Sequence, residues 1–336
     1  MLSILDYDQK PLPVIFGLSG AKLSKDEKKL FQDANPTGFI LFSRNIEDSK
    51  QLKSLIKSLH DCMGRTVPVL VDQEGGRVQR LRPPHWRDYP PFQTFGAAYE
   101  DHQAKGLDML ENSAKELAAE LAAAGFNVNC TPVMDLLHKG TDDSIGDRSF
   151  SGNYATVTAL SAVVARAMLR AGVIPVLKHL PAGGRVHADS HDTLPVVETK
   201  AIEMLESDAV PYKETLRKVE SEGMWGMVGH VLYKDFDERG AASCSRRVIY
   251  DVIREQIGFK GLLLSDDICM GALSGLGAAQ YRAEKVLRSG CDLALHCNGD
   301  FKEMVAVADR AEKMTNDAVL RYNHSVSWLE QNKAHV

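Results

Sequence analysis

Residues 165–181, ARAMLRAGVIPVLKHLP, run from a helical pattern through Gly172 into an apolar, β-branched stretch that ends on Lys178 and His179. A short continuous apolar run following a helix is how a strand buried on both faces reads, and such strands belong to parallel sheets covered by helices. Polar groups at the carboxyl end of a buried parallel strand are where α/β barrels keep their chemistry. The next stretch fits that position. Residues 178–195, KHLPAGGRVHADSHDTLP, gather a lysine, three histidines and aspartates around a glycine pair, a composition suited to neither a stable helix nor a strand. It reads as a functional loop.

The same unit recurs outward from this stretch. Apolar runs appear in VIFGLSG, GFILFSRN, VPVLVDQEGG, FNVNCTPVMDL, VIPVLKHLP, GMVGHVLY, GLLLSDD and DLALHCNGD, with helical patterns between them. Strand–helix alternation implies parallel pairing with right-handed crossovers, and eight units imply closure into a single-domain α/β (β/α)8 TIM barrel over residues 1–336. Among the helices, SKDEKKLFQDA opens on a serine cap with early acids, DSKQLKSLIKSLHDCM and SRRVIYDVIREQIGF carry apolar residues at helical spacing, and one last helix near 301–331 closes the outer layer. The proline- and aromatic-rich RLRPPHWRDYPPFQTFG reads as an excursion covering the barrel. A doubly wound open sheet is the competing architecture, but FGLSGAKLSKDE only weakly imitates the phosphate-binding turn it needs.

Composition narrows the function. Hydrophobic content of 44% and charged content of 25% are those of an ordinary globule, and a net charge of −5 without a basic stripe argues against nucleic acid as a partner. The six cysteines are scattered without C-x-x-C pairs and read as free thiols. No secretory signal and no 18-residue apolar stretch is apparent, so a cytoplasmic protein with no membrane partner is expected. His187 and His191 stand four apart, but on a glycine-containing loop, and no helical H-x-x-x-H or cysteine pair relates His179, His187, His191 and His230, so a metal is not expected among them. His296 and the other remaining histidines show no grouping.

Four separated motifs, in order, carry a resemblance. Asp72-Gln73-Glu74-Gly75-Gly76-Arg77-Val78-Gln79-Arg80, then Ile145-Gly146-Asp147-Arg148-Ser149-Phe150, then Lys178-His179-Leu180-Pro181 with Asp189-Ser190-His191, and Leu264-Ser265-Asp266-Asp267 are similar to signatures of bacterial β-N-acetylhexosaminidases of glycoside hydrolase family 3. The likeness spans roughly residues 10–330. It implies an exo-acting enzyme that removes terminal N-acetylglucosamine from peptidoglycan fragments, a small saccharide as its partner, no metal or organic cofactor, and a monomer. Asp266 matches the family's nucleophile, which implies a covalent glycosyl-enzyme and retention of configuration. His191, paired with Asp189 two residues earlier, matches the proton donor. Histidine titrates near neutrality, so it can give and later take a proton. Asp72, Arg80, Arg148, Lys178 and His179 are expected to hold the sugar.

Each residue also has an ordinary alternative. Asp266 could cap a following helix, and Asp189-x-His191 could be a solvated turn. Arg148 could be a structural ion pair, and Lys178 could simply neutralise Asp72 or Asp266. Glu74 and Arg77 read as scaffold, and His230 as a supporting group behind the site. Successive strand residues face opposite sides, so only one of Asp266 and Asp267 should aim into the site. Relatives read KHFPGHG where this chain has KHLPAGG, which replaces a histidine by Gly183; His187 is the nearest substitute. The glycines also suggest a loop that brings His191 over the sugar only when substrate is bound. A phosphorylase and a non-catalytic sugar-binding barrel remain as competing readings, and the chain is too short for the second domain of β-glucosidase relatives.

Overall fold

Eight short strands supply the hydrogen bonds that close the molecule's centre: β1 (Leu12–Gly17), β2 (Pro36–Leu41), β3 (Val69–Val71), β4 (Val128–Asn129), β5 (Ile174–Leu180), β6 (Trp225–Val228), β7 (Leu262–Asp267) and β8 (Leu293–His296). In this computed structural model, which describes residues 1–219 and 223–332, they form one closed barrel with every adjacent pair parallel. Closure is made by Ile15 opposite Leu295 and Phe16 opposite His296. Residues 333–336, part of the single domain expected over 1–336, lie outside the described residues.

The strand side chains are buried almost without exception on both sides of the sheet, which explains why the runs are continuously apolar rather than alternating. Helices cover the outside, and their ends are those the sequence specifies. Lys25–Ala34 starts from Ser24, which accepts the Glu27 N–H while Glu27 bonds back to the Ser24 N–H. Ser49–Met63 is capped by Asp48 and buries Leu52, Leu55, Ile56 and Leu59. After β3 the excursion buries Tyr89 and Phe92, the latter stacked on Phe150 with ring centroids 4.4 Å apart, before the helices Phe92–Asp101 and Gln103–Ala124.

The sequence predicts one helix near 301–331, and two are present, Phe301–Arg310 and Asn316–Asn332. The break has a local cause. Met314 is buried, its N–H donates to the Pro11 carbonyl, and the Thr315 hydroxyl caps the second helix at the Ala318 N–H. A continuous helix would have kept Met314 away from the strand it anchors.

Two register shifts lie at the carboxyl-terminal rim. One separates Leu177 from Leu180 in the β5–β6 pairing, and the other separates Leu293 from Leu295 against β7. An irregularity of this kind re-aims side chains. Here it falls on the segments that carry Lys178, His179, Asp266 and Asp267.

Candidate active site

Lys178 is the largest charged side chain in the interior, 2% exposed, and a lone ammonium there would be costly to desolvate. The sequence answers with two carboxylates from the loop after β3. Lys178 Nζ lies 3.0 Å from Asp72 Oδ1 and 2.7 Å from Glu74 Oε1. Arg148, from the turn Gly146–Arg148, grips Glu74 with both Nε and Nη2 at 2.9 and 2.8 Å, and Arg80 Nη2 reaches Asp72 Oδ2 at 3.3 Å. Burial works to raise the Glu74 pKa, but Arg148 and Lys178 hold it down to about 2. Burial likewise opposes ionisation of Asp72, and Lys178 and Arg80 override it to keep that carboxyl far below its usual range. Burial disfavours the Lys178 ammonium, yet Asp72 and Glu74 keep its pKa above that of an exposed lysine. The set stays charged.

His179 is fixed by a residue that the sequence reading does not single out. Asp135, fully buried just beyond β4, receives His179 Nδ1 at 2.7 Å, the His179 backbone N–H at 3.3 Å, and the Gly183 N–H. Its signal is present in the run FNVNCTPVMDL: an aspartate following an apolar strand-like stretch at the rim. Nothing local in the sequence links that aspartate to His179. A Cβ on residue 183 would come within 3.0 Å of the Asp135 carboxylate, so Gly183 lets the loop backbone take a place on Asp135 that a larger residue would contest.

At the end of β7 both aspartates border the cavity, where strand alternation predicts only one, and the strand pairing is irregular at this point, between Leu293 and Leu295 of β8. Asp267 Oδ1 accepts the backbone N–H groups of Cys269 at 3.0 Å and Cys297 at 3.1 Å, which ties that carboxylate to the rim. Asp266 Oδ1 accepts the Asp267 N–H at 2.8 Å. Burial pushes the Asp266 pKa up, but nearby His179 and His230, the Asp267 N–H and Lys178 bring it below the ordinary value. Asp266 is therefore an anion at neutral pH. Buried His230 bridges Ser243 Oγ at 2.7 Å and the Asp267 carbonyl at 3.0 Å, and it also borders the cavity.

His191 sits on the loop after β5. Its side chain is 70% exposed, and Nδ1 lies 2.7 Å from Asp189 Oδ1, which also accepts the His191 N–H at 2.8 Å. Burial disfavours ionised Asp189, while these two bonds from His191 outweigh it and lower the pKa. The glycines suggest a loop held away from the site without substrate; the structure has it docked. The Gly271 N–H donates to the His191 carbonyl at 2.8 Å and the Ala272 N–H to the Ser190 carbonyl at 3.1 Å, so the loop is stapled to the segment following Asp266.

These elements enclose a cavity of about 260 Å³ at the carboxyl-terminal mouth of the barrel, bordered by Asp72, Arg80, Arg148, Lys178, His179, Asp189, His191 and Asp266 together. Every site residue named from sequence borders it. His187 does not. Its Nδ1 approaches the Gly140 carbonyl at 2.6 Å and it lines a separate depression with His138, Lys139 and Arg185, so it replaces no histidine at the site. Glu74 does not line the cavity and holds Lys178 and Arg148, whereas Arg77, read from sequence as scaffold, pairs with Asp147 at 2.8 Å and also borders the cavity. Among the described residues, one group of three metal-ligating side chains is close enough to share an ion, Cys269, His296 and Glu303. None of the three borders the cavity. The sequence shows no grouping for His296 because its partners stand 27 residues before it and seven after, outside any local spacing motif.

Comparison with known proteins gives a consistent result. The profile of the Glycosyl hydrolase family 3 N terminal domain matches residues 7–324. A Beta-hexosaminidase of Bordetella parapertussis is 36% identical over 288 residues, covering 86% of this chain and 80% of that protein. A Beta-hexosaminidase of Psychromonas ingrahamii is 34% identical over 298 residues, covering 88% and 86%. Among solved structures, native NagZ from Neisseria gonorrhoeae superposes with a TM-score of 0.85 at 28% identity, covering 97% of this chain and 94% of that one. The same protein in complex with N-trifluoroacetyl-D-glucosamine gives 0.84. Among the described residues, no helix is long and apolar enough to cross a membrane.

Proposed function

The chain belongs to glycosyl hydrolase family 3 as a β-N-acetylhexosaminidase, and from that premise we propose that it releases terminal N-acetylglucosamine from peptidoglycan fragments with retention of configuration. The substrate is the disaccharide of N-acetylglucosamine and 1,6-anhydro-N-acetylmuramic acid, with or without its peptide, handled in the cytoplasm by a monomer. One observation supports this most: the half-buried anion Asp266 and the His191–Asp189 pair border the same cavity.

In this reading the Asp266 carboxylate attacks the anomeric carbon while His191 donates a proton to the departing glycosidic oxygen, so the sugar–oxygen bond breaks as a glycosyl ester forms. Ionised Asp189 orients the ring and stabilises the imidazolium, leaving the far nitrogen for proton transfer. His191 then takes a proton from water, which attacks the anomeric carbon, and Asp266 leaves as the carboxylate. Asp72, paired with two cations, offers acceptor oxygens for hydroxyl groups, while Arg80, Arg148, Lys178 and His179 present donors around the ring.

The test has two parts. The protein is incubated in phosphate-free buffer with an aryl N-acetyl-β-glucosaminide and with the anhydro-disaccharide, and then with an activated fluoro sugar followed by peptide mapping. Free N-acetylglucosamine from both substrates and a label on the peptide containing Asp266 support the proposal. Sugar 1-phosphate formed only on adding phosphate, inertness toward the anhydro-disaccharide, or a label elsewhere overturns it.

A further inference from the structure

Cys269, His296 and Glu303 come from three different elements, the turn after β7, the last residue of β8 and the first turn of the helix Phe301–Arg310. Their ligand atoms all lie within 4.8 Å of one another. Glu303 Oε2 is the point of convergence, 3.2 Å from His296 Nε2 and 4.0 Å from Cys269 Sγ. A tetrahedral zinc with bonds of about 2.3 Å to sulfur and 2.0–2.1 Å to nitrogen or oxygen separates its ligand atoms by roughly 3.3–3.6 Å. The two Glu303 spacings depart from that by a few tenths of an ångström, and the third pair, Cys269 with His296, lies within 4.8 Å.

The supports are firm. His296 is buried, meets Phe16 edge-on at 5.8 Å, and turns Nε2 toward Glu303 at 3.2 Å, while its Nδ1 has no hydrogen-bond partner among the described residues, so packing rather than an outer hydrogen bond fixes the ring. Glu303 is held by its own N–H on the Asp300 cap at 3.0 Å and by Asn298 Nδ2 on Oε2 at 2.7 Å, the kind of outer hydrogen bond that orients a ligating carboxylate. Cys269 is held by its N–H on Asp267. Sulfur with imidazole selects borderline-soft ions such as zinc or cobalt over magnesium or calcium.

We propose that Cys269, His296 and Glu303 form a binding site for one thiophilic divalent cation of the zinc type, separate from the catalytic cavity. The ion takes Cys269 Sγ, His296 Nε2 and Glu303 Oε2, and solvent fills the fourth position through the half-exposed Glu303 side. Binding exchanges the Cys269 S–H bond for a sulfur–metal bond, and that proton leaves to the buffer. His296 ligates through its Nε2 lone pair with its single ring proton on Nδ1. A dication with one thiolate and one carboxylate is electrically neutral, which suits a partly buried position.

The experiment titrates the chelator-stripped full chain with Co²⁺ and then Zn²⁺. A thiolate-to-cobalt charge-transfer band with tetrahedral ligand-field intensity, saturating at one equivalent and abolished by Zn²⁺, is the expected result. Cys269→Ser removes the band, Glu303→Gln weakens affinity by more than the roughly 10–100-fold that outer-shell changes cost, and His191→Asn leaves both unchanged. In the wild type, Zn²⁺ protects Cys269 from iodoacetamide, read by peptide mass, which makes the test independent of whether a variant folds. Absence of the band, its survival in Cys269→Ser, its loss in His191→Asn, or alkylation of Cys269 undiminished by Zn²⁺ overturns the proposal.

Discussion

Substituting Gly271 by alanine tests the staple between the His191 loop and the segment after β7. A Cβ there would meet the backbone carbonyl oxygens of His191 and Asp192 at 2.5 Å, and relief to an ordinary 3.4 Å contact means an opening of about 0.9 Å. Added to the 2.8 Å bond from the Gly271 N–H to the His191 carbonyl, that displacement carries it past hydrogen-bond range, and the neighbouring Ala272–Ser190 bond opens with it. Two net bonds at about 0.5–1.5 kcal/mol each amount to about 1–3 kcal/mol, or a factor of roughly 5–150 in the docked population. Gly271→Ala should therefore lower kcat/KM by that factor on the disaccharide, whose leaving group needs the proton. The loss should be smaller on a nitrophenyl glycoside, whose leaving group needs less help. Gly275→Ala is the control, since nothing lies within 4 Å of a Cβ there and it sits on the same short helix, Gly271–Leu276. Equal kcat/KM in the two variants, or equal losses on both substrates, would refute the reasoning.

Asp266→Asn should cut turnover by roughly 10⁴-fold or more with an unchanged melting temperature, whereas Asp267→Asn, which retains an acceptor for the Cys269 and Cys297 N–H groups, should keep most activity; steady-state kinetics on the pair checks this. Glu74→Gln leaves Lys178 and Arg148 short of a buried counter-charge and should cost about 3–5 kcal/mol in urea unfolding. Glu74 is held at about 2 when folded against 4.5 for an ordinary glutamate, so its stabilisation is complete above pH 4.5 and lost as the pH falls toward 2; urea midpoints should drop across that window in the wild type and less steeply in Glu74→Gln. Asp135→Ala frees the His179 ring and the Gly183 N–H and should reduce kcat/KM by at least about tenfold, checked beside circular dichroism of the folded variant.

The barrel was legible because its strands are buried on both faces and therefore continuously apolar, and because Ser24 marks a helix start locally. The rim residues were legible where they end such runs, as Asp72, Lys178 and Asp266 do. What escaped depends on groups far apart in the chain. Asp135 acquires its place from a histidine 44 residues later, and the Cys269–His296–Glu303 cluster exists only once β7 and β8 lie side by side. The docked loop rests on main-chain bonds from Gly271 and Ala272, which no side-chain pattern announces. The break before Asn316 reflects the pull of Pro11 on Met314, again a contact across the fold.

The charges at the barrel mouth have a further consequence. Asp72 and Glu74 face Arg80, Arg148 and Lys178 within one ring of contacts, and Asp189, Asp266, Asp267 and Arg77 border the same cavity, so anions and cations are interleaved around it. An uncharged sugar entering that ring displaces water and releases no counterions, which makes its capture indifferent to ionic strength. Once Asp266 is consumed as an ester the pocket holds one anion fewer, which eases the hydroxide-like character that an attacking water must develop.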